Sequence, residues 1–253
     1  MHRFFNIQNN HIYIPNNIKK VKLDIGLSIN APHSCQWLKQ EPDDLLVFGF
    51  EPNPESVSSI KDINYFKNNT VKKNKELIKY IEPVQYLNEH SLIGEKLLIA
   101  QCALGLESKN TTLYVTNVDP GCSSTYKLSQ NFMKIRPVEK EINVEQYRLD
   151  DFFKIFPFQQ IPYIDYIKID AQGADLDIIK SGGEYIKKYV VYVTLEPENN
   201  EYLNTENSFS LIKNYMESIN FISINHNNTK DPTFINSKFL HLKDEIFIFQ
   251  IHN

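Results

Sequence analysis

The stretch Leu45-Leu46-Val47-Phe48-Gly49-Phe50-Glu51-Pro52-Asn53-Pro54 decides the fold class. Its first six residues carry no charge, as a strand buried on both faces requires, and such strands belong to parallel sheets covered by helices. The run ends at an acid and two prolines, so the chain turns sharply at the strand's carboxyl end. Pro54 then sits where a first helical turn favours it, and Glu55 lies beside the positive helix end. Strand, acid, turn and helix form the unit from which the rest of the chain is read.

Working outward, short apolar runs predict further strands over residues 21–25, 97–102, 113–116, 163–170, 190–196, 221–225 and 245–251. Between them, helices are predicted over 54–64, 74–88, 174–187 and 209–219. Pro83 and Gly182-Gly183 are weak points in two of these. The alternation indicates an α/β fold, a mostly parallel sheet with helices on both faces. The last two strands are joined without an evident helix and are expected to pair antiparallel at one edge. No repeat or linker divides the chain, so a single domain is expected over 1–253, with 1–20 as an N-terminal extension and 21–253 as the core.

Composition excludes several classes. The 253 residues carry 27 Lys and Arg against 31 Asp and Glu, a net charge of −4. That leaves no broad basic field for a nucleic-acid backbone and no polybasic patch for a membrane. Cys35, Cys102 and Cys122 form an odd set without Cys-x-x-Cys spacing, so neither a disulfide framework nor a structural zinc site is expected. The first residues lack the apolar stretch of a signal peptide, and a cytoplasmic protein is expected.

The candidate chemistry lies at the strand ends. In Asp24-Ile25-Gly26-Leu27-Ser28-Ile29-Asn30-Ala31-Pro32, an acid precedes a glycine in a tight strand-to-helix turn, where backbone N–H groups can meet a nucleotide-type ligand. Glu51 closes the next strand at roughly the 20-residue spacing of an acid that holds a ribose diol. Asp170, in Tyr166-Ile167-Lys168-Ile169-Asp170-Ala171-Gln172-Gly173-Ala174-Asp175, ends a third strand in the same way, and Glu196-Pro197 a fourth. Four carboxylates on one rim are costly unless a cation or a hydroxyl-rich group sits among them. Each also has a plain structural reading: Asp24 as a turn cap, Asp170 as a helix cap, Ser123-Ser124 as a polar loop, Cys102 as a small apolar residue. His33, His226 and His241 lie near predicted element ends, and His226 is the one retained as a candidate on the acceptor side.

Taken in order, Asp24-x-Gly26, Phe50-Glu51-Pro52-Asn53-Pro54, Ala103-Leu104-Gly105, Ser123-Ser124, Leu149-Asp150-Asp151-Phe152 and Ile167-Lys168-Ile169-Asp170-x-x-Gly173-Ala174-Asp175 resemble the FkbM-type methyltransferases. The resemblance implies a Rossmann-like class I fold, with a mostly parallel seven-stranded sheet and an antiparallel C-terminal strand. It implies S-adenosylmethionine (SAM) as cofactor and O-methylation of a sugar, glycan or glycosylated small molecule. Cofactor contacts then fall to Asp24, Gly26, Ser28, Asn30, Glu51, Pro52, Asn53, Cys102, Ala103, Ser123 and Ser124. Asp170 becomes the first choice of base, with Glu196 or His226 as partner. The family's further glycine in the first turn is replaced here by Ile29-Asn30-Ala31-Pro32. Gln172 and Asp175 stand where the family commonly carries glutamates. A divalent metal bridging Asp170 and Glu196 would suit hard oxygen ligands, but two acids do not establish a site. The other readings are a SAM- or sugar-binding module that has lost catalysis and N-methylation of an amino sugar. A nicotinamide oxidoreductase is disfavoured by the missing Gly-x-Gly-x-x-Gly turn.

Overall fold

The structure, a computed structural model, describes residues 1–62, 64–65, 76–117, 120–225 and 228–243. The strands among them are β1 (Ile7–Gln8), β2 (His11–Ile12), β3 (Lys20–Ile25), β4 (Leu45–Phe50), β5 (Leu97–Ala100), β6 (Ala103–Leu104), β7 (Lys109–Thr116), β8 (Val138–Tyr147), β9 (Ile164–Ile169), β10 (Val190–Thr194), β11 (Phe221–Ser223) and β12 (Thr233–Asn236). The α-helices are α1 (Pro32–Gln40), α2 (Pro54–Lys61), α3 (Glu76–Glu89), α4 (Gln130–Met133), α5 (Leu149–Phe153), α6 (Asp175–Ser181), α7 (Glu184–Tyr189) and α8 (Phe209–Ser218).

Seven strands form the main sheet in the order β11-β12-β10-β9-β3-β4-β5. The five from β10 to β5 are parallel, and β12 runs antiparallel to both β10 and β11. All residues of β4, β9 and β10 are buried, because helices cover both faces. One face packs Phe152 of α5, Ile178 of α6, Ile186 of α7 and Met216 of α8. The other packs Trp37 of α1, Ile60 of α2 and Leu87 of α3. Strand order reverses between β3 and β9, and Ile25, Phe50 and Ile169 lie side by side in register. The residues that follow them, Gly26, Glu51 and Asp170, therefore emerge together at the switch point, where open α/β sheets bind their ligands.

The N-terminal residues are part of this packing. Phe5, Ile12, Ile14 and Ile18 are buried in the same cluster as Phe48, Phe50 and Phe152. Phe5 meets Phe48, Phe50 and Phe152 edge-on, with ring centroids 5.3, 6.5 and 5.9 Å apart. Such contacts add about 0.5–1.5 kcal/mol each beyond area burial.

Several expectations are corrected. Among the described residues the antiparallel strand of the main sheet is Thr233–Asn236, which is not among the predicted strands; the expected strand at 245–251 lies outside the described residues. The run 113–116 does not join the main sheet. It is the end of β7, which pairs with β8 and, through β8, with β6 in a separate three-stranded sheet. Exposed and half-buried residues alternate along most of β8, as in a sheet wet on one side. The helix expected over 174–187 is two helices, broken at Gly182-Gly183, where Gly183 takes φ +54°. Pro83 does not interrupt α3, whose buried Val84 and Leu87 hold it against the core.

Candidate active site

The turn after β3 is built around Gly26, whose φ of +90° is unfavourable for residues with a side chain. A Cβ there would fall 1.9 Å from the Asp170 carbonyl oxygen. The glycine thus lets two strand ends touch. Gly26 N–H donates to Phe50 O and Asp170 N–H to Ile25 O, both at 2.9 Å. Ser28 at φ +56° and Ala31 at +47° continue the turn in the left-handed region, at about 1–3 kcal/mol each. Asp24, 1% exposed, accepts hydrogen bonds from Ser34 N–H at 3.0 Å and Ser34 Oγ at 2.5 Å, and burial raises its carboxyl to about 6. It fastens the first turn of α1 to β3.

Glu51, 6% exposed, accepts from the backbone N–H groups of Asn53, at 2.9 Å, and Ser28. Burial outweighs those bonds and pushes its carboxyl up to about 8. Asn53 turns the other way, capping α2 by accepting from Glu55 N–H at 3.1 Å.

The turn after β9 is a polar network. Gln172, at φ +51°, donates to Asp170 Oδ1 at 2.7 Å and accepts from Tyr202 Oη at 2.7 Å, while its carbonyl accepts from Ser124 Oγ at 2.6 Å. A glutamate at 172 lacks the N–H donor that meets Asp170. Buried Asp175 accepts from Ala171 N–H at 2.9 Å and Glu196 N–H at 2.8 Å, tying the ends of β9 and β10 together. Lys168 Nζ is 3.9 Å from Asp170 and 3.5 Å from Asp231. Burial opposes the Lys168 ammonium, but Asp170, Glu196, Asp231 and Asp175 hold its pKa above the usual lysine value. Burial likewise opposes ionisation of Asp170, yet Lys168, with hydrogen bonds from Glu196 and Gln172, keeps it below the carboxylate range. Glu196 shows the reverse: burial and the adjacent Asp170 push it up, to about 10. The pair holds one proton on Glu196, shared toward Asp170.

These ends open into a cavity of about 1140 Å³. Gly26, Ser28, Asn30, Glu51 and Pro52, from the turns after β3 and β4, line it. So do Cys102, Ala103, Ser123 and Ser124, together with Asp170, Gln172 and Glu196. Asp24 and Asn53 are not among the lining residues. The Cys102 thiol is driven by burial up to about 12, so it is a protonated apolar wall. Ser123 Oγ accepts from Thr116 N–H at 3.2 Å. His226 lies outside the described residues.

The cavity also gathers Glu198, Glu201 and Lys230, which strand-end reasoning missed, and His33, which it named but passed over for His226. Glu198 and Asn199 are shared with an adjoining cavity of about 490 Å³. Glu198 is raised to about 10 by burial and then by Asp175, Asp170 and Glu201, and its Oε2 is buried without a hydrogen-bond partner among the described residues. Pro32, at the first position of α1, was the signal that could have brought His33 forward. Among the described residues no group of three or more His, Cys, Asp or Glu is placed to hold a metal ion. No helix among them is long and apolar enough to cross a membrane.

A parallel sheet that reverses its order beside β3 and presents a glycine turn and an acid at adjacent strand ends is Rossmann-like, with its ligand crevice at that switch point. The family model described as Methyltransferase FkbM domain matches residues 31–223, well over half of the chain, and the chain belongs to the FkbM methyltransferase family. Among solved structures, the chain is similar to methyltransferase FkbM from Methylobacillus flagellatus KT, with 11% identity and a TM-score of 0.47. That alignment covers 92% of this chain and 49% of the other, so this chain spans about half the length of that protein. No curated protein matches.

Proposed function

We propose that this methyltransferase uses SAM and methylates a hydroxyl of a sugar, glycan or glycosylated small molecule. The observation that carries the cofactor assignment is Glu51. It is a buried carboxyl at the end of β4, facing the cavity and fixed by two backbone amides across from the Gly26 turn. A ribose diol offers the two donors that such a carboxylate accepts, and the glycine leaves the main chain open to close approach. The cavity exceeds the roughly 300–1,000 Å³ of typical small-molecule sites, enough for a nucleoside cofactor together with an acceptor.

On this reading Ser28 and Asn30 meet the methionine end and Pro52 shapes the ribose turn. Cys102 and Ala103 flank the adenine, and Ser123 and Ser124 lie where cofactor and acceptor adjoin. When bound, SAM supplies a methyl carbon activated by a sulfonium. The chain's own residues have to hold the acceptor oxygen in line with that carbon and relieve it of its proton. Ionised Asp170 accepts from Glu196 and Gln172, and this bonded pair lines the cavity as a fixed polar group beside cofactor and acceptor. The acid-rich cavity lining and the chain's net charge of −4 favour a small-molecule or glycan acceptor over a nucleic acid or an anionic membrane.

Calorimetry with Glu51→Ala tests the cofactor assignment. Loss of hydrogen bonds to a charged group is expected to weaken SAM by about 10²-fold, and unchanged affinity would reject it. Formation of S-adenosylhomocysteine with a panel of free and nucleotide-linked sugars tests the reaction. SAM binding without transfer to any acceptor would favour a binding module instead.

A further inference from the structure

The geometry points to His33 as the group that takes the acceptor's proton, an assignment that rests on the methyl-transfer reading above. A base needs a free lone pair that reaches the cavity; the carboxyls at the strand ends are committed, and the unpartnered oxygen of Glu201, Oε2, is sealed in the protein. Asp170 is already the acceptor for Gln172 and Glu196, with Lys168 beside it. Glu51 is held by Ser28 and Asn53, and Asp175 by Ala171 and Glu196. Glu196 and Glu198 keep their protons at neutral pH.

His33 differs from all of these. It lines the cavity, and its side chain makes one ring contact, with Trp37 at 6.0 Å, but no hydrogen bond among the described residues. Its nitrogens are not sealed either, since neither is counted among the buried polar atoms that lack partners. An imidazole that is half-buried, unpartnered and open to the site is free to bond to what enters. Three features keep it unprotonated. Burial acts first, the Lys168 ammonium second, and together they lower His33 to about 4 against the opposing pull of Asp170. The third is its place at the second residue of α1, where the positive helix end disfavours imidazolium. Lys168 of β9 and Asp170, just beyond the end of that strand, are the charged groups that act on it.

In the step itself, the acceptor's O–H bond breaks and its proton moves to a ring nitrogen of His33. The same oxygen forms the new bond to carbon, and the electron pair of the broken S–C bond stays on sulfur. The charge lost from the sulfonium is thus replaced by one on the imidazolium, close to Asp170. His33 then returns the proton to solvent.

The test combines activity with a readout of the free protein. His33→Gln is expected to lower kcat by about 10²-fold or more, the usual contribution of a positioned base, while SAM affinity by calorimetry stays at the wild-type value. Added imidazole should restore turnover to His33→Ala in proportion to its concentration, which a merely structural role would not produce. Diethylpyrocarbonate, which acylates neutral imidazole, provides the second measurement. At about pH 5, in the absence of SAM, His33 should react at nearly its neutral-pH rate, whereas free N-acetylhistidine, the reference, slows as it protonates. If the wild type transfers methyl groups but His33→Gln is nearly as active, or if imidazole rescues nothing, the base assignment fails and the methyl-transfer reading stands. If His33→Gln loses SAM affinity along with turnover, His33 is a cofactor contact and the assignment is again overturned. If the wild type transfers nothing to any acceptor, both fail together.

Discussion

Replacing Gly26 by alanine combines two costs that another glycine allows to be separated. Gly26 sits at φ +90°, and its new Cβ would lie 1.9 Å from Asp170 O and 2.8 Å from Asp170 C. Gly94 sits at φ +88° with nothing within 4 Å of the position its Cβ would take. Gly94→Ala therefore shows the conformational cost alone, about 1–3 kcal/mol. Gly26→Ala adds a collision with backbone, which cannot rotate away as a side chain can; overpacking of this kind costs about 1–3 kcal/mol more. The expected total is about 2–6 kcal/mol. At about 2–4 °C per kcal/mol for a domain of this size, Tm should fall by roughly 4–24 °C for Gly26→Ala and by roughly half that for Gly94→Ala. Thermal unfolding followed by circular dichroism, without ligand, measures both. If the two variants melt together, the strand ends of β3 and β9 are not in the close contact described, and the argument that this glycine shapes the site fails.

Three further outcomes follow from the buried charges. Because the Glu51 carboxyl lies near 8 in the free protein and a diol favours its ionised form, SAM affinity should rise with pH through that value and then level off. Calorimetry across the range should show the rise vanish in Glu51→Gln; a pH-independent wild type would contradict it. Asp24 at about 6, Asp165 and Asp175 at about 7, and Glu51 at about 8 keep protons in the fold that the unfolded chain releases near pH 4. The native state then binds more protons than the unfolded state, so stability should fall as pH rises from about 4 to about 8. A urea midpoint that increases over that window would show the sign to be wrong. Lys168→Met strips the shared, buried cation from half-buried Asp170 and Asp231, at a cost of about 1–3 kcal/mol. A denaturation midpoint close to the wild type would mean that the two acids find other partners.

The parts of the molecule that could be read from sequence are those where a single strand carries its own signal. Leu45–Phe50 and Val190–Thr194 are apolar throughout because helices cover both their faces, and their continuity identifies them without knowledge of their neighbours. Val138–Tyr147 has the weaker period of two and passes unnoticed in a search for continuous runs. Thr233–Asn236 is short and takes its direction from pairing with β10 and β11, which no local pattern shows. The site follows the same rule. Glu51 and Asp170 are found because each ends a legible strand, and the register of β3, β4 and β9 brings them together. What Asp24 does depends on Ser34, and what Gln172 does depends on Tyr202, 30 positions away. Side-chain partners at such separations are set by packing, so the choice among Asp24, His33 and Asp170 for a given task is invisible until the turns are folded.

Phe50 lines the cavity, and its ring packs edge-on against Phe5 and Phe152 in the aromatic cluster behind it. The first eighteen residues therefore act as a keystone for the wall that carries Glu51. A peptide bond cut between Phe5 and Val21 would leave every cavity-lining residue in place and still loosen the pocket from behind. Cofactor binding should in turn protect that distant segment from proteases. An apparent binding defect in a variant of Phe5 or Ile12 would then report on the wall, with no contact to the ligand required.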